Sequence, residues 1–175
     1  VVAREVEELT VPPDADLAVT VYTPQPSGPA TYHPQAYREN YFATGDHAAD
    51  EQGTAFTPAT TSFHYVSGVE VRGSRARGAV VAVGDSITDG VGTAPDADAR
   101  WTDALAARLA ATGGDTTMTV LNAGISRNEL LADGVGGPAP QARFAGDVTG
   151  ALGATDVVLN IGTNDIAAGR DAAAI

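Results

Sequence analysis

Cysteine is absent from all 175 residues of this chain, which excludes disulfides and thiolate metal sites outright. The redox compartment stays open, because secreted and cytosolic proteins alike can lack cysteine. Lysine is absent too. All ten basic residues are arginine, set against 22 acidic residues for a net charge of -12. Such a surface repels phosphate backbones and anionic headgroups, which argues against nucleic-acid and membrane-surface partners. No apolar run approaches the roughly 18–20 residues needed to span a bilayer. Val1 opens directly on strand-like sequence, without the basic start and apolar stretch of a signal peptide. What is present is a hydrophobic fraction of 43%, enough to build a core.

Two regions read differently. Residues 1–77 are rich in Pro, Thr and Tyr and hold all three histidines, His33, His47 and His64. Leu17, Val19 and Val21 alternate with Ala18 and Thr20, as in a half-buried strand over Asp16–Tyr22. Phe63–Val66 and Val69–Val71 read as further strand, and Pro24, Pro26, Pro29 and Pro34 punctuate a loop. This region is β-rich, with few helix signals. Arg72–Arg77 is the natural joint.

Residues 78–175 alternate strand and helix patterns. Ala79–Val83 is a short continuous apolar run, expected of a parallel strand covered on both faces. Trp101, Leu105 and Leu109 recur at helical spacing over Ala99–Ala111, and Gly113-Gly114 stops that helix. Thr117–Leu121 is a second strand. Phe144, Val148 and Leu152 form one stripe of a helix over Pro140–Leu152, and Asp156–Ile161 is a third strand. This order implies an α/β, doubly wound parallel sheet.

Ligands of open α/β sheets bind beyond the carboxyl ends of the strands. Each of the three strands ends in a small polar cluster: Gly84-Asp85-Ser86, Asn122-Ala123-Gly124-Ile125-Ser126, and Gly162-Thr163-Asn164-Asp165. Taken singly, each is an ordinary turn. Together they place a serine hydroxyl, a glycine that lets a backbone N–H approach a reacting atom, and a side-chain amide on one rim. That combination is a nucleophile, Ser86, in an oxyanion hole formed with Gly124 and Asn164.

The three clusters resemble the conserved blocks of the SGNH, or GDSL-type, ester hydrolases. Gly84-Asp85-Ser86-Ile87-Thr88-Asp89-Gly90 is similar to the nucleophile block, Asn122–Ser126 to the second, and Gly162–Asp165 to the third. The resemblance covers residues 78 to 166 and implies a flavodoxin-like sheet of which the first three strands are present. It implies Ser86, Gly124 and Asn164 in catalysis on a small-molecule or polysaccharide ester, with no cofactor and no metal. The G-x-S-x-G elbow fits less well, because Thr88 stands where its second glycine belongs. Residues 1–77 are similar to a β-sandwich-like segment that precedes the hydrolase domain in secreted bacterial GDSL-type proteins, through Pro12-Pro13, Tyr32-His33-Pro34 and Gly45-Asp46-His47. That similarity implies an extracellular protein.

The family's Asp-x-x-His block, which carries the general base, has no counterpart after Asn164; Asp171-Ala172-Ala173-Ala174 has only the Asp. The expectation is a piece of a longer polypeptide, inactive alone, completed by a C-terminal segment or a second chain that extends the sheet and supplies Asp and His. The competing reading is a non-catalytic protein whose β-rich region binds carbohydrate or a partner on a degenerate scaffold. His33, His47 and His64 are expected to be surface or packing residues, and Asp46–Glu51 a solvated loop rather than a metal site. Asp85 is expected to shape the turn, Arg127 to be a surface charge and Trp101 to be core. Nucleotide binding lacks both a G-x-G-x-x-G and a Walker lysine.

Overall fold

The computed structural model describes residues 9–12, 15–73, 75–113 and 117–175. Val1, Pro13, Ser74 of the arginine-rich joint and Gly114 of the helix stop lie outside the described residues.

The architecture rests on β5 (Gly78–Gly84), whose seven residues are all buried. It pairs in parallel with β6 (Met118–Gly124) on one side and β7 (Ala154–Asn160) on the other, giving the order β6-β5-β7. A strand flanked on both edges and covered on both faces must be apolar throughout, which is why the alternation of a half-buried strand is missing here. Val81 and Val83 form the core with Val148, closed by Ala123, Ala151 and Ala154. Between β5 and β6 lie α1 (Ser86–Asp89) and α2 (Trp101–Ala110). Between β6 and β7 lies α3 (Pro140–Phe144), continued by a π-helical turn over Ala145–Thr149. The last helix, α4 (Thr163–Ala167), follows β7. This is the expected α/β order.

The π-turn explains one departure. The expected stripe buries Val148 alone, while Phe144 and Leu152 stay exposed. A π-turn takes more residues per revolution, so residues four apart no longer share one face.

β7 is an edge among the described strands. Val157, Val158 and Leu159 are exposed at 43%, 38% and 55%, so both of its faces show apolar side chains. Sequence suited to an interior strand thus lies at an open edge.

The β-rich part is sparser than expected. β1 (Tyr32–His33) pairs antiparallel with β4 (Phe63–His64), and β2 (Asn40–Phe42) with β3 (Thr57–Thr60). Asp16–Tyr22 forms no strand, nor does Val69–Val71, and Leu17, Val19, Val21, Val69 and Val71 are all exposed. Alternation specifies a face to bury, but a strand also needs a neighbour for its backbone groups, and neither segment has one among the described residues.

The two regions touch along residues 33–39. Arg100 donates from Nη2 to the Ala36 carbonyl and from Nε to the Asp89 carbonyl, and it lies over the Tyr37 ring. Asp96 donates its N–H to the Tyr37 carbonyl, and its carboxylate accepts from the Glu39 N–H. Arg38 pairs with Asp98.

Candidate functional site

Ser86 is the first residue of α1, two residues beyond the buried end of β5. Asp85 makes this turn. Its buried Oδ1 accepts from the Ile87 N–H at 2.9 Å, capping the helix. The helix lasts one turn because Gly90 takes a left-handed conformation, φ 97°, and returns its N–H to the Ser86 carbonyl. With Asp85 as cap, Ser86 is left half-buried. Its hydroxyl makes no hydrogen bond to the described residues.

Gly124 stands opposite Gly84 in the β5–β6 register. It must be glycine, because a Cβ there would lie 2.3 Å from the Asp89 nitrogen and 2.7 Å from the Thr88 carbonyl carbon. The end of β6 therefore packs directly on the backbone of α1. The Gly124 N–H donates to Asn122 Oδ1 at 2.9 Å. Asn122 is itself fixed by Nδ2, which donates to the Thr88 carbonyl and to Thr102 Oγ1. One side chain thus ties α1, α2 and β6 together at the rim.

Asn164 enters from the third strand end. Asn160 pairs with Gly84, and α4 begins three residues later. Asn164 Nδ2 donates to the Asn128 carbonyl at 2.9 Å. An amide nitrogen carries two hydrogens, so one remains for a ligand. All three residues expected from the sequence lie beyond or at the carboxyl end of the sheet: Gly124 ends β6, Ser86 opens α1 after β5, and Asn164 lies in α4 after β7.

Beneath this rim is a layer of buried polar residues. Asn128 is fully buried. Its Nδ2 donates to the Pro138 carbonyl, and its Oδ1 accepts from Arg143 Nη2. Arg143 also donates from Nη1 to the Ala123 carbonyl and pairs with Asp147. It anchors the end of β6 from below. Asp165, also fully buried, accepts the N–H groups of Leu130 and Leu131 at 2.7 and 2.9 Å. It clamps the loop after β6 to the start of α4, one residue from Asn164. Asp165→Ala leaves two N–H donors without their acceptor and is expected to cost about 3 kcal/mol. Denaturant unfolding measures this, and a change under about 0.5 kcal/mol would refute the clamp.

His33, expected as a surface or packing residue, takes the packing role. It is half-buried, and its Nε2 lies 2.7 Å from Oδ1 of the buried Asp89. The other oxygen of Asp89 accepts from the Ser126 N–H. One carboxylate therefore joins the β-rich region, α1 and the loop after Gly124. Only the motif containing Asp89 hinted at this, because a partner 56 residues away leaves no local pattern. His47 makes a local contact to the Thr44 carbonyl, and His64 stacks on Tyr32. Asp46 and Asp50 accept N–H groups of their own turns. No cluster of three potential metal ligands occurs among the described residues. Arg127 is exposed with φ 65°. Trp101 is half-buried, with Nε1 3.4 Å from Thr88 Oγ1. Among the described residues no helix is long and apolar enough to cross a membrane.

Known proteins can be set against this geometry. A solved structure, that of AlinE4, an SGNH-hydrolase family esterase, is similar at 22% identity, with a TM-score of 0.45 over 57% of this chain. The alignment spans 47% of that structure, so this chain corresponds to about half its length. No curated protein matches the chain. Residues 82–175, more than half of the chain and including all three strand ends, match the model of the GDSL-like Lipase/Acylhydrolase family. The chain belongs to the GDSL-like lipase/acylhydrolase family.

Proposed function

We propose that this chain carries the nucleophile and oxyanion-hole half of a serine ester hydrolase. Ser86 attacks the ester carbonyl. The backbone N–H groups of Ser86 and Gly124 and the free hydrogen of the Asn164 amide stabilise the tetrahedral oxyanion, and water then releases the acyl group. The observation that carries this reading is the Ser86 hydroxyl, without a hydrogen bond to the described residues and following the central strand, with Gly124 at the end of β6 and Asn164 in the helix after β7. The Gly124 N–H now donates to Asn122 Oδ1, so an oxyanion would share or displace that bond.

The general base and its orienting carboxylate come from sequence outside this chain, either a C-terminal continuation or a second chain. That segment would also pair with the exposed edge of β7 and cover its apolar faces. The substrate is a small-molecule or polysaccharide ester, met outside the cell. The test is hydrolysis of p-nitrophenyl acetate. The 175-residue chain is expected to stay at the uncatalysed rate, and the polypeptide extended through the following coding sequence to turn over the ester. Robust Ser86-dependent hydrolysis by the shorter chain would refute an external base.

Asn164→Ala in the extended polypeptide is expected to lower kcat by about 100–1,000-fold with KM little changed. Its amide serves charge that develops only in the transition state. A pure KM effect would remove Asn164 from the oxyanion hole.

A second reading draws on the engaged Gly124 N–H: a scaffold of this family that binds without catalysis. It predicts no Ser86-dependent turnover in any extended polypeptide.

A further inference from the structure

A groove of about 880 Å3 runs between the β-rich region and the rim of the sheet. One wall carries Gly124 and Ser126, and the opposite wall carries Tyr32, His33, Phe63 and Tyr65. We infer that this groove binds the alcohol part of the substrate, and that this part is a neutral oligosaccharide. The inference rests on the esterase reading of Ser86 and Gly124, and it goes further by assigning the β-rich region a direct share of the substrate site.

Four features point to a sugar. The first is aromatic surface held ready. Tyr32 is 61% exposed, yet its ring is fixed, stacked on His64 at 5.7 Å with the planes 11° apart. The two residues are register partners of β1 and β4, so strand pairing orients the platform before any ligand arrives. A rigid ring loses little freedom on binding, and the apolar face of a pyranose stacks on such a surface. The second is Tyr65, which is 45% exposed and held at φ 64°. Its N–H donates to the Thr31 carbonyl, and its hydroxyl lies 2.7 Å from Ser27 Oγ. A bulky residue is rarely kept in that conformation, and such strain concentrates at ligand sites.

The third feature is charge. Arg38 is paired with Asp96 and Asp98, and Arg100 with Asp103 and two carbonyls. The groove's cations are already neutralised. With a net charge of -12 on the chain, it has no field to attract a uronate or a phosphate. Paired planar charged groups instead offer donors and acceptors side by side, which suits vicinal hydroxyls. The fourth is size and continuity. The volume lies near the top of the range of about 300–1,000 Å3 for small-molecule sites, so a bare short-chain ester would leave most of it empty. The groove has walls that mix apolar side chains, among them Phe63, Val66, Ile125 and Val135, with the polar groups of His33, Arg38, Asp89 and Asp98, a mixture that suits the apolar face and the hydroxyls of a sugar together. It reaches Gly124, so a sugar lying in it brings an esterified hydroxyl toward the proposed oxyanion hole. The His33–Asp89 contact, with the Ser126 N–H on the same carboxylate, fixes one wall to the other.

Calorimetric titration of this chain with acetylated xylohexaose, acetylated mannohexaose and cellohexaose tests the inference directly. At least one is expected to bind with a Kd below about 1 mM. Tyr32→Ala is expected to weaken that binding about tenfold, and Tyr32→Phe, which keeps the stacked ring, to stay within about twofold. Tyr41→Ala removes an exposed ring outside the groove and is expected to change nothing. Thermal unfolding of each variant shows that the fold persists. Failure of all three hexaoses to bind overturns the inference, as does binding indifferent to Tyr32→Ala. So does p-nitrophenyl octanoate occupying the groove in a Tyr32-dependent manner in place of the sugars. Because binding is read without turnover, the two readings fail separately. Ser86-dependent hydrolysis without hexaose binding sinks the groove assignment alone. Tyr32-dependent hexaose binding in a polypeptide inert at Ser86 upholds the groove as a glycan site and sinks the esterase.

Discussion

Ser86→Ala is expected to lower ester turnover by about 10⁴–10⁶-fold in the polypeptide that includes its general base, while leaving stability within about 0.5 kcal/mol of the parent. Both halves of this expectation come from the same geometry. The hydroxyl makes no hydrogen bond to the described residues, and the cap of α1 is Asp85, so folding does not depend on the Ser86 side chain. The chemistry depends on it entirely, because Thr88, the other hydroxyl of this turn, is fully buried against Trp101 Nε1. Turnover of p-nitrophenyl acetate and denaturant unfolding, measured on the same preparation, read the two effects separately. Retained turnover would dismiss Ser86 as nucleophile. Lost stability would show that the hydroxyl belongs to the fold rather than to the site.

The parts of this molecule that the sequence discloses are those governed by local rules. β5 was legible because a strand buried on both faces has only one composition open to it, and Gly78–Gly84 has that composition. The three strand ends were legible because glycine and short polar residues mark where the chain leaves the sheet. β7 was legible as a strand, and its interior character at an open edge is equally a matter of composition. Errors arose where tertiary context overrides pattern. Leu17, Val19 and Val21 alternate, yet no neighbouring strand receives them. Phe144 and Leu152 sit at helical spacing, but the π-turn between them changes the phase. The supporting polar layer was hidden for another reason. Asp165, Asn128 and Arg143 are residue types expected at a surface, and nothing in residue type reveals that a carboxylate will be buried under two backbone N–H groups. His33 illustrates the extreme case. Its functional interest lies wholly in a carboxylate 56 residues away, and only the docking of the β-rich region on α1 brings the two together.

Gly124→Ala is the substitution expected to couple these levels most strongly. The added methyl would fall 2.3 Å from the Asp89 nitrogen and 2.9 Å from the Asp89 Cα. Neither is a side-chain atom that can rotate away, so β6 and α1 must separate. Overpacking of this kind costs about 1–3 kcal/mol where neighbours can adjust, and a contact made wholly with backbone belongs at the upper end, about 3 kcal/mol. The separation would move three things at once. α1 carries Ser86 at its other end. Asn122, which binds both the Thr88 carbonyl and the Gly124 N–H, would be pulled in two directions. Asp89 would shift relative to the Ser126 N–H and His33. Turnover by the extended polypeptide that includes the general base is therefore expected to fall by about 100-fold or more in molecules that remain folded, since a misplacement of about 1 Å suffices for that. Denaturant unfolding gives the stability loss, and kcat on the folded fraction gives the catalytic one. If stability falls but kcat per folded molecule holds, Gly124 serves the close approach of β6 to α1 and not the oxyanion. If neither changes, the packing of β6 on α1 is not as described. The substitution thus tests whether the close packing of β6 on α1 sets the geometry of the site, which Ser86→Ala cannot do.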